Sequence, residues 1–383
     1  DVKPVTPIES LSFDPGLNSA FDPQLVSSVT GFSQSFIRKV CGAKNRLESA
    51  DVLLLLNQDS FVETFVPRSR VLSFLESHKE VTANRFLEPG MHVGSALDLV
   101  PFLEPHSIQS VVTSTPYWAM RIYDDMVSEH WADGEICPFG MEQTPEGFIR
   151  HSVEVLWRLK PKLRPDGSIW WNVGDTYNTR TQIRSNAAEA LRAMQGRDKK
   201  SWHDHDMRRY SAGHAYLEDG EQTLIPSRIA ERASRIGYLV KSMVTWVKPS
   251  TTPEPQNSRV SRTTEQIIHL ALQRTPKFNK SAYLQLPSHL GGRSSSESAR
   301  LSDAWILNTS VGSGGHGAQF PLSLPGRCIS ISSAEGDLIL DPFIGSGTTA
   351  VVAKELGRNW IGFDTSPKYA EITESRVATV KSN

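Results

Sequence analysis

The sequence predicts an α/β fold built on a mostly parallel sheet. Three observations carry this. Strand-like and helix-like segments alternate from about residue 86 to the C-terminus. Near residue 341 a strand runs into a glycine-bearing loop that opens a helix. The composition, 38% apolar and 22% charged, is that of an ordinary water-soluble globular chain of 383 residues.

Each element has its own reason. Ile108–Thr113 is a short run rich in β-branched residues that ends in a proline-containing turn. Thr144–Leu163 has helical periodicity, opened by Thr-Pro and closed by Arg164-Pro165-Asp166-Gly167. A strand is expected at Ser168–Val173, a helix at Pro226–Ile236, and strands at Tyr238–Val247 and Thr264–Leu272. The chain then reads as strand Gly336–Asp341, helix Thr348–Leu356, strand Asn359–Asp364 and helix Pro367–Val380. Residues 1–85 read as an accessory segment of short helices, with prolines at 4, 7, 15 and 23 and an apolar run at Val52–Leu56. Residues 86–383 form the main domain, with a polar insertion at 178–222.

Composition narrows the function classes. No stretch of eighteen apolar residues predicts a membrane span. The opening DVKPVTPIES lacks the features of a secretory signal, and Cys41, Cys137 and Cys328 are too far apart to suggest a disulfide framework or a metal site. A cytoplasmic protein with reduced thiols is expected. The net charge of −1 neither requires nor excludes nucleic acid, because basic residues can still gather on one face.

The strongest local signal is Asp341-Pro342-Phe343-Ile344-Gly345-Ser346-Gly347-Thr348. Its glycines permit a tight turn and a close approach of backbone to ligand, and the helix that follows favours a negative group at its N-terminus. Asp364 ends the next strand, seventeen residues after Gly347, where a carboxylate can bind ribose hydroxyls. A nicotinamide dinucleotide would fit similar logic, but the third glycine of that fingerprint is missing.

The second signal is Ser114-Thr115-Pro116-Tyr117-Trp118 at the end of a strand. It resembles the Ser-Pro-Pro-Tyr signature of the β-class DNA amino-methyltransferases, with threonine where proline is usual. Val93-Gly94-Ser95, Asn172-x-Gly174-Asp175-x-Tyr177, Trp246-Val247-Lys248-Pro249 and Gly315-x-Gly317-x-x-Phe320 are similar to further segments of that family, and Ser95 replaces its usual aspartate. The resemblance covers roughly residues 91–380. It implies a Rossmann-like methyltransferase fold, circularly permuted so that the amine site precedes the cofactor loop. It further implies S-adenosylmethionine as cofactor, held by Asp341, Pro342, Phe343, Gly345, Ser346, Gly347, Thr348, Asp364 and Phe320.

The same resemblance implies transfer of a methyl group to an exocyclic amine of a flipped base in double-stranded DNA. Ser114 and the Thr115 carbonyl would accept the amine hydrogens, Pro116 would shape the turn and Tyr117 would stack on the base. Serine at 114 favours cytosine N4 over adenine N6. A restriction endonuclease of the same system is the expected functional companion. Candidate phosphate or base contacts are Arg180, Arg184, Lys199, Lys200, Arg208 and Arg209 in the insertion, and Arg259 and Arg262 in a small target-recognition region at about 250–310.

Other readings are weaker. A 5-methylcytosine enzyme needs a Pro-Cys nucleophile, and here Cys137 precedes Pro138. His203, His205, His214 and Glu221 have no regular ligand spacing. A catalytically silent DNA-binding relative stays open, with Thr115 and Ser95 as its symptoms.

Overall fold

The computed structural model describes residues 21–30, 32–56, 86–118, 126–131, 135–142, 144–178, 182–183, 208–209, 217, 220–249, 251, 258–295, 297–309 and 320–380. Eight strands form one sheet: β1 (Gly90–Val93), β2 (Ile108–Ser114), β3 (Leu163–Val173), β4 (Leu239–Val247), β5 (Thr264–Ala271), β6 (Ala304–Ile306), β7 (Leu338–Asp341) and β8 (Asn359–Asp364). Their spatial order is β1-β8-β7-β2-β3-β5-β4-β6. The pairs from β1 to β3 are parallel, as is β6 with β4, while β5 is antiparallel to both its neighbours.

Strand alternation builds two cores. Trp171, Ile268 and Leu340 face one apolar cluster, and their chain neighbours Trp170, Ile267 and Ile339 face the other. The first cluster takes the buried faces of α4 (Pro145–Leu159) and α5 (Ile225–Arg235); the second takes those of α6 (Ser323–Ser332) and α7 (Thr348–Glu355). Helix α8 (Pro367–Ala378) follows β8. The result is a three-layer sandwich, the arrangement a parallel sheet needs to cover both faces.

Among the described residues three short helices precede the sheet: α1 (Pro23–Thr30), α2 (Gln34–Cys41) and α3 (Ser49–Leu56). The Val52–Leu56 run lies in α3. Val26, Ile37, Leu47, Val52 and Leu55 belong to the same contiguous cluster as Trp171 and Phe148.

The structure departs from the sequence reading at three places. β3 begins at Leu163, and residues 164–167 are passed over by a shift in its register with β2, where Ile108 pairs with Leu163 but Ser110 pairs with Ser168. The Pro165-Gly167 turn signal is therefore a bulge inside a strand. Strand β6 was not expected. Neither was α6, which carries Pro325 and Gly326; proline sits acceptably in a first turn, and a Cβ on Gly326 would lie 2.0 Å from the Leu290 carbonyl oxygen. Among the described residues no helix is long and apolar enough to cross a membrane.

Candidate active site

The glycine loop joins β7 to α7 at the centre of the sheet. Asp341, expected among the cofactor ligands, is instead 1% exposed. Its carboxylate accepts hydrogen bonds from Thr113 Oγ1 (2.6 Å), Thr349 Oγ1 (2.6 Å) and the Phe343 N–H (3.1 Å). It braces β2, β7 and α7 together rather than facing a ligand. Burial pushes its pKa up to about 6. A folded-state pKa above the unfolded value of about 3.9 gives stability that is complete below pH 4 and lost as pH rises through about 6. Denaturant melts should show wild type gaining about 3 kcal/mol on Asp341→Asn between pH 7 and pH 4; a flat difference would refute the buried ionisation.

The two loop glycines have different jobs. Both are left-handed, Gly345 at φ 53° and Gly347 at φ 84°. A Cβ on Gly345 would meet nothing within 4 Å, so this is the open face of the loop. A Cβ on Gly347 would lie 2.7 Å from Thr373 Cγ2, so this glycine admits α8. A side chain at 347 would therefore collide with α8 before it reached a ligand.

Pro342, Ser346 and Thr348 are also buried, and Arg376 of α8 donates to the Ser346 carbonyl at 2.5 Å and to Ser346 Oγ at 3.0 Å. Phe343 and Gly345 are the half-exposed loop residues. The Asp364 carboxylate receives the N–H groups of Gly345 (3.1 Å) and Ser366 (2.8 Å), which holds it at the loop. Phe320 lies 8% exposed in the cluster under α6 and α7, whereas Phe343 packs against the opposite one. Residues 315–319 lie outside the described residues. An open glycine face beside a strand-end carboxylate and an aromatic ring fits an adenosyl group, whose ribose needs an acceptor and whose base needs an apolar wall.

Phe343 stacks on Phe139, with centroids 5.0 Å apart and planes at 11°. Phe139 is followed by Gly140, whose left-handed turn (φ 86°) brings it against Pro116. Behind it, the His151 ring stacks on Trp131 at 4.0 Å and Nδ1 lies 3.2 Å from Glu142 Oε1. Glu135, Cys137 and His151 place ligand-type atoms within 4.8 Å of one another, a cluster that sequence spacing did not suggest.

Next to this loop, β2 ends at Ser114. Thr115 takes up its departure from the usual proline by hydrogen bonding: its N–H reaches the Asn172 carbonyl at 3.2 Å and its hydroxyl reaches the same oxygen at 3.5 Å. Asn172 Nδ2 lies 3.1 Å from Ser114 Oγ, 2.8 Å from Tyr117 Oη and 3.0 Å from Glu265 Oε2. Ser114 Oγ and Tyr117 Oη are 3.4 Å apart, and Tyr117 donates to Glu265. Lys248 pairs with the other oxygen of Glu265. A Cβ on Gly174 would lie 2.9 Å from the Tyr117 ring, so that glycine makes room for it. Ser95 caps the turn after β1 by accepting from the Asp98 N–H at 3.1 Å. It also hydrogen-bonds Glu129, whose pKa burial pushes up, so an acidic group stands beside the missing aspartate.

Asp175 closes the site from the side. It receives the N–H groups of Leu224 (3.1 Å) and Ile225 (3.0 Å), capping α5 from a distant loop, and the Thr223 hydroxyl at 2.7 Å. Of the basic candidates, Arg259 and Arg262 lie over the Tyr177 ring at 3.7 and 4.9 Å, and Arg262 also donates to the Asp175 carbonyl. Arg208 and Arg209 form a two-residue ribbon with Gln182 and Ile183. Arg180, Arg184, Lys199, Lys200 and the histidines 203, 205 and 214 lie outside the described residues.

Comparison with known proteins decides the family. A family model of N6/N4 methyltransferases, described as DNA methylase, matches residues 108–375. The chain belongs to that family. It is an S-adenosylmethionine-dependent β-class DNA amino-methyltransferase. Among its relatives, Type II methyltransferase M.Cfr9I of Citrobacter freundii is 29% identical over 289 residues, covering 74% of this chain and 86% of the relative. Type II methyltransferase M.SmaI of Serratia marcescens is 26% identical over 292 residues, covering 74% and 89%. The solved PvuII DNA methyltransferase (cytosine-N4-specific) has a similar fold, with a TM-score of 0.52 at 20% identity over 76% of this chain and 87% of that one. The region matched by the family model starts at β2 and ends in α8.

Proposed function

We propose that this methyltransferase methylates the exocyclic N4 of a cytosine flipped out of double-stranded DNA, as the modification partner of a restriction endonuclease. The observation that carries the base is Ser114, a hydroxyl rather than a carboxylate at the amine-facing end of β2. An exocyclic amine conjugated to its ring is a weak nucleophile. Ser114 and the Thr115 carbonyl would accept its two hydrogens and turn the nitrogen lone pair toward the donor, and Tyr117 would stack on the extruded base. S-adenosylmethionine supplies an electrophilic methyl group on a sulfonium sulfur. Phe343, Gly345 and Asp364 would hold the adenosyl moiety, and the Asp341 brace would keep that loop in register with Ser114. Arg259 and Arg262, exposed or half-exposed beside the site, would meet backbone phosphates. The relatives named as Type II methyltransferases support the restriction–modification setting.

Methylated DNA digested to nucleosides and resolved by mass spectrometry should yield N4-methylcytosine. N6-methyladenine as the sole product would overturn the base, and no methylated nucleoside at all would leave a silent DNA-binding relative.

A further inference from the structure

We propose that Glu265 is the positioning residue that makes Ser114 a hydrogen acceptor toward the target amine. The inference rests on the reading of Ser114 and Tyr117 as the amine site. A serine hydroxyl can donate or accept, so serine alone does not define which way the target amine must bind. A carboxylate in the same place would accept only. The structure supplies a carboxylate one step removed.

Glu265 lies on β5, the antiparallel strand paired with β3, and its register sets it across from Trp246 of β4. Its two oxygens are divided. Lys248 holds Oε1, while Oε2 accepts from the Tyr117 hydroxyl and from Asn172 Nδ2 at 3.0 Å. An ionised carboxylate can only accept, so Tyr117 is committed to donating toward it. The Tyr117 oxygen is then an acceptor toward Ser114, 3.4 Å away. Asn172 strengthens this polarity, because its amide nitrogen can only donate and it points at Ser114, Tyr117 and Glu265 alike. With its own hydrogen directed at Tyr117 and one lone pair taken by Asn172, Ser114 keeps one lone pair for an incoming N–H. Chains of hydroxyls aligned in this way polarise one another.

The same chain disposes of the proton. When the amine nitrogen gives its lone pair to the new nitrogen–carbon bond, the carbon–sulfur pair stays with sulfur and the nitrogen carries a surplus proton. That proton passes to Ser114 Oγ as Ser114's passes to Tyr117 and Tyr117's passes to Glu265. The methylated amine ends neutral, and the carboxyl gives its proton to water afterwards.

The test is single-turnover methyl transfer by Glu265→Gln, which keeps the side chain's shape but can present a donor to Tyr117. The rate should fall about a hundredfold, the range for loss of a proton acceptor, with S-adenosylmethionine and DNA affinities near wild type. Glu265→Ala should recover rate with added formate and not with formamide, since only the anion restores the acceptor beside Lys248; a merely structural role would not distinguish the two. A Gln variant within about threefold of the wild-type rate overturns the proposal. So does a loss of both binding constants together with rate, or rescue by formamide as well as formate. Wild-type protein that methylates no base would sink the underlying functional reading instead, whereas active wild type with an unaffected Gln variant sinks this inference alone.

Discussion

Ser114→Ala should reduce the single-turnover rate of methyl transfer by at least about a hundredfold while S-adenosylmethionine affinity stays near wild type. The hydroxyl is part-buried in a network with Asn172 and Tyr117, and no loop residue of the cofactor side bonds to it among the described residues. Its loss is felt when the amine attacks and not when the cofactor binds. Tyr117→Phe should cost about as much as Glu265→Gln. The ring stays packed over Gly174, and what disappears is the hydroxyl that links Ser114 to Glu265. Isothermal calorimetry for the cofactor, run beside rapid-quench transfer assays, checks both. If Ser114→Ala weakened cofactor binding as much as turnover, the division between the two halves of the site would be wrong.

The second large effect separates two glycines that look alike in sequence. Gly347→Val places a branched side chain at φ 84° with its Cβ 2.7 Å from Thr373, and should destabilise the fold by about 3 kcal/mol or more. Gly345→Val meets open space, so it should forfeit only about 1–2 kcal/mol of backbone conformational energy and keep a cooperative melt. Its cofactor affinity should nonetheless drop at least about tenfold, equivalent to roughly 1.4 kcal/mol. Thermal melts with and without S-adenosylmethionine distinguish them. A Gly347 variant with a normal melting temperature and lost ligand stabilisation would reverse the assignment.

Those glycines show where sequence reading stops. Local pattern was enough for the regular elements: Asn359–Asp364 is a strand as read, and β4, β5, β7 and α4 differ from their expected bounds by a few residues at the ends. It was enough also to bring Ser114, Tyr117, Gly345 and Asp364 forward as candidates, because each stands in or just after a short local pattern. What escaped depends on contacts between distant segments. Glu265 is an unremarkable acidic residue in Thr264-Glu265-Gln266 until strand pairing brings it to Asn172, 93 residues earlier. Asp341 reads as a ligand because it adjoins the loop, yet two threonines from separate elements turn it inward. Gly326 is needed because Leu290 crosses α6 there, a fact of packing that no periodicity carries. Thr115 and Ser95 look like losses against the family pattern; in three dimensions each bonds a partner, Asn172 or Glu129, that fits the replacement.

The Thr113–Asp341 bond spans 228 positions of the chain, and it lies between strands that are immediate neighbours. β2 sits near the middle of the sheet, but one of its flanking strands is β7, which the chain reaches only after β3, β4, β5 and β6. During synthesis that edge of β2 therefore stays open until residues 338–341 have left the ribosome. A buried central strand with an unsatisfied edge is a site for wrong pairing, and closing so long a loop slows folding. Nascent chains halted before residue 338 should accordingly be protease-sensitive and prone to self-association, and should lack methyl-transfer capacity. Sheet order thus makes the activity wait for β7.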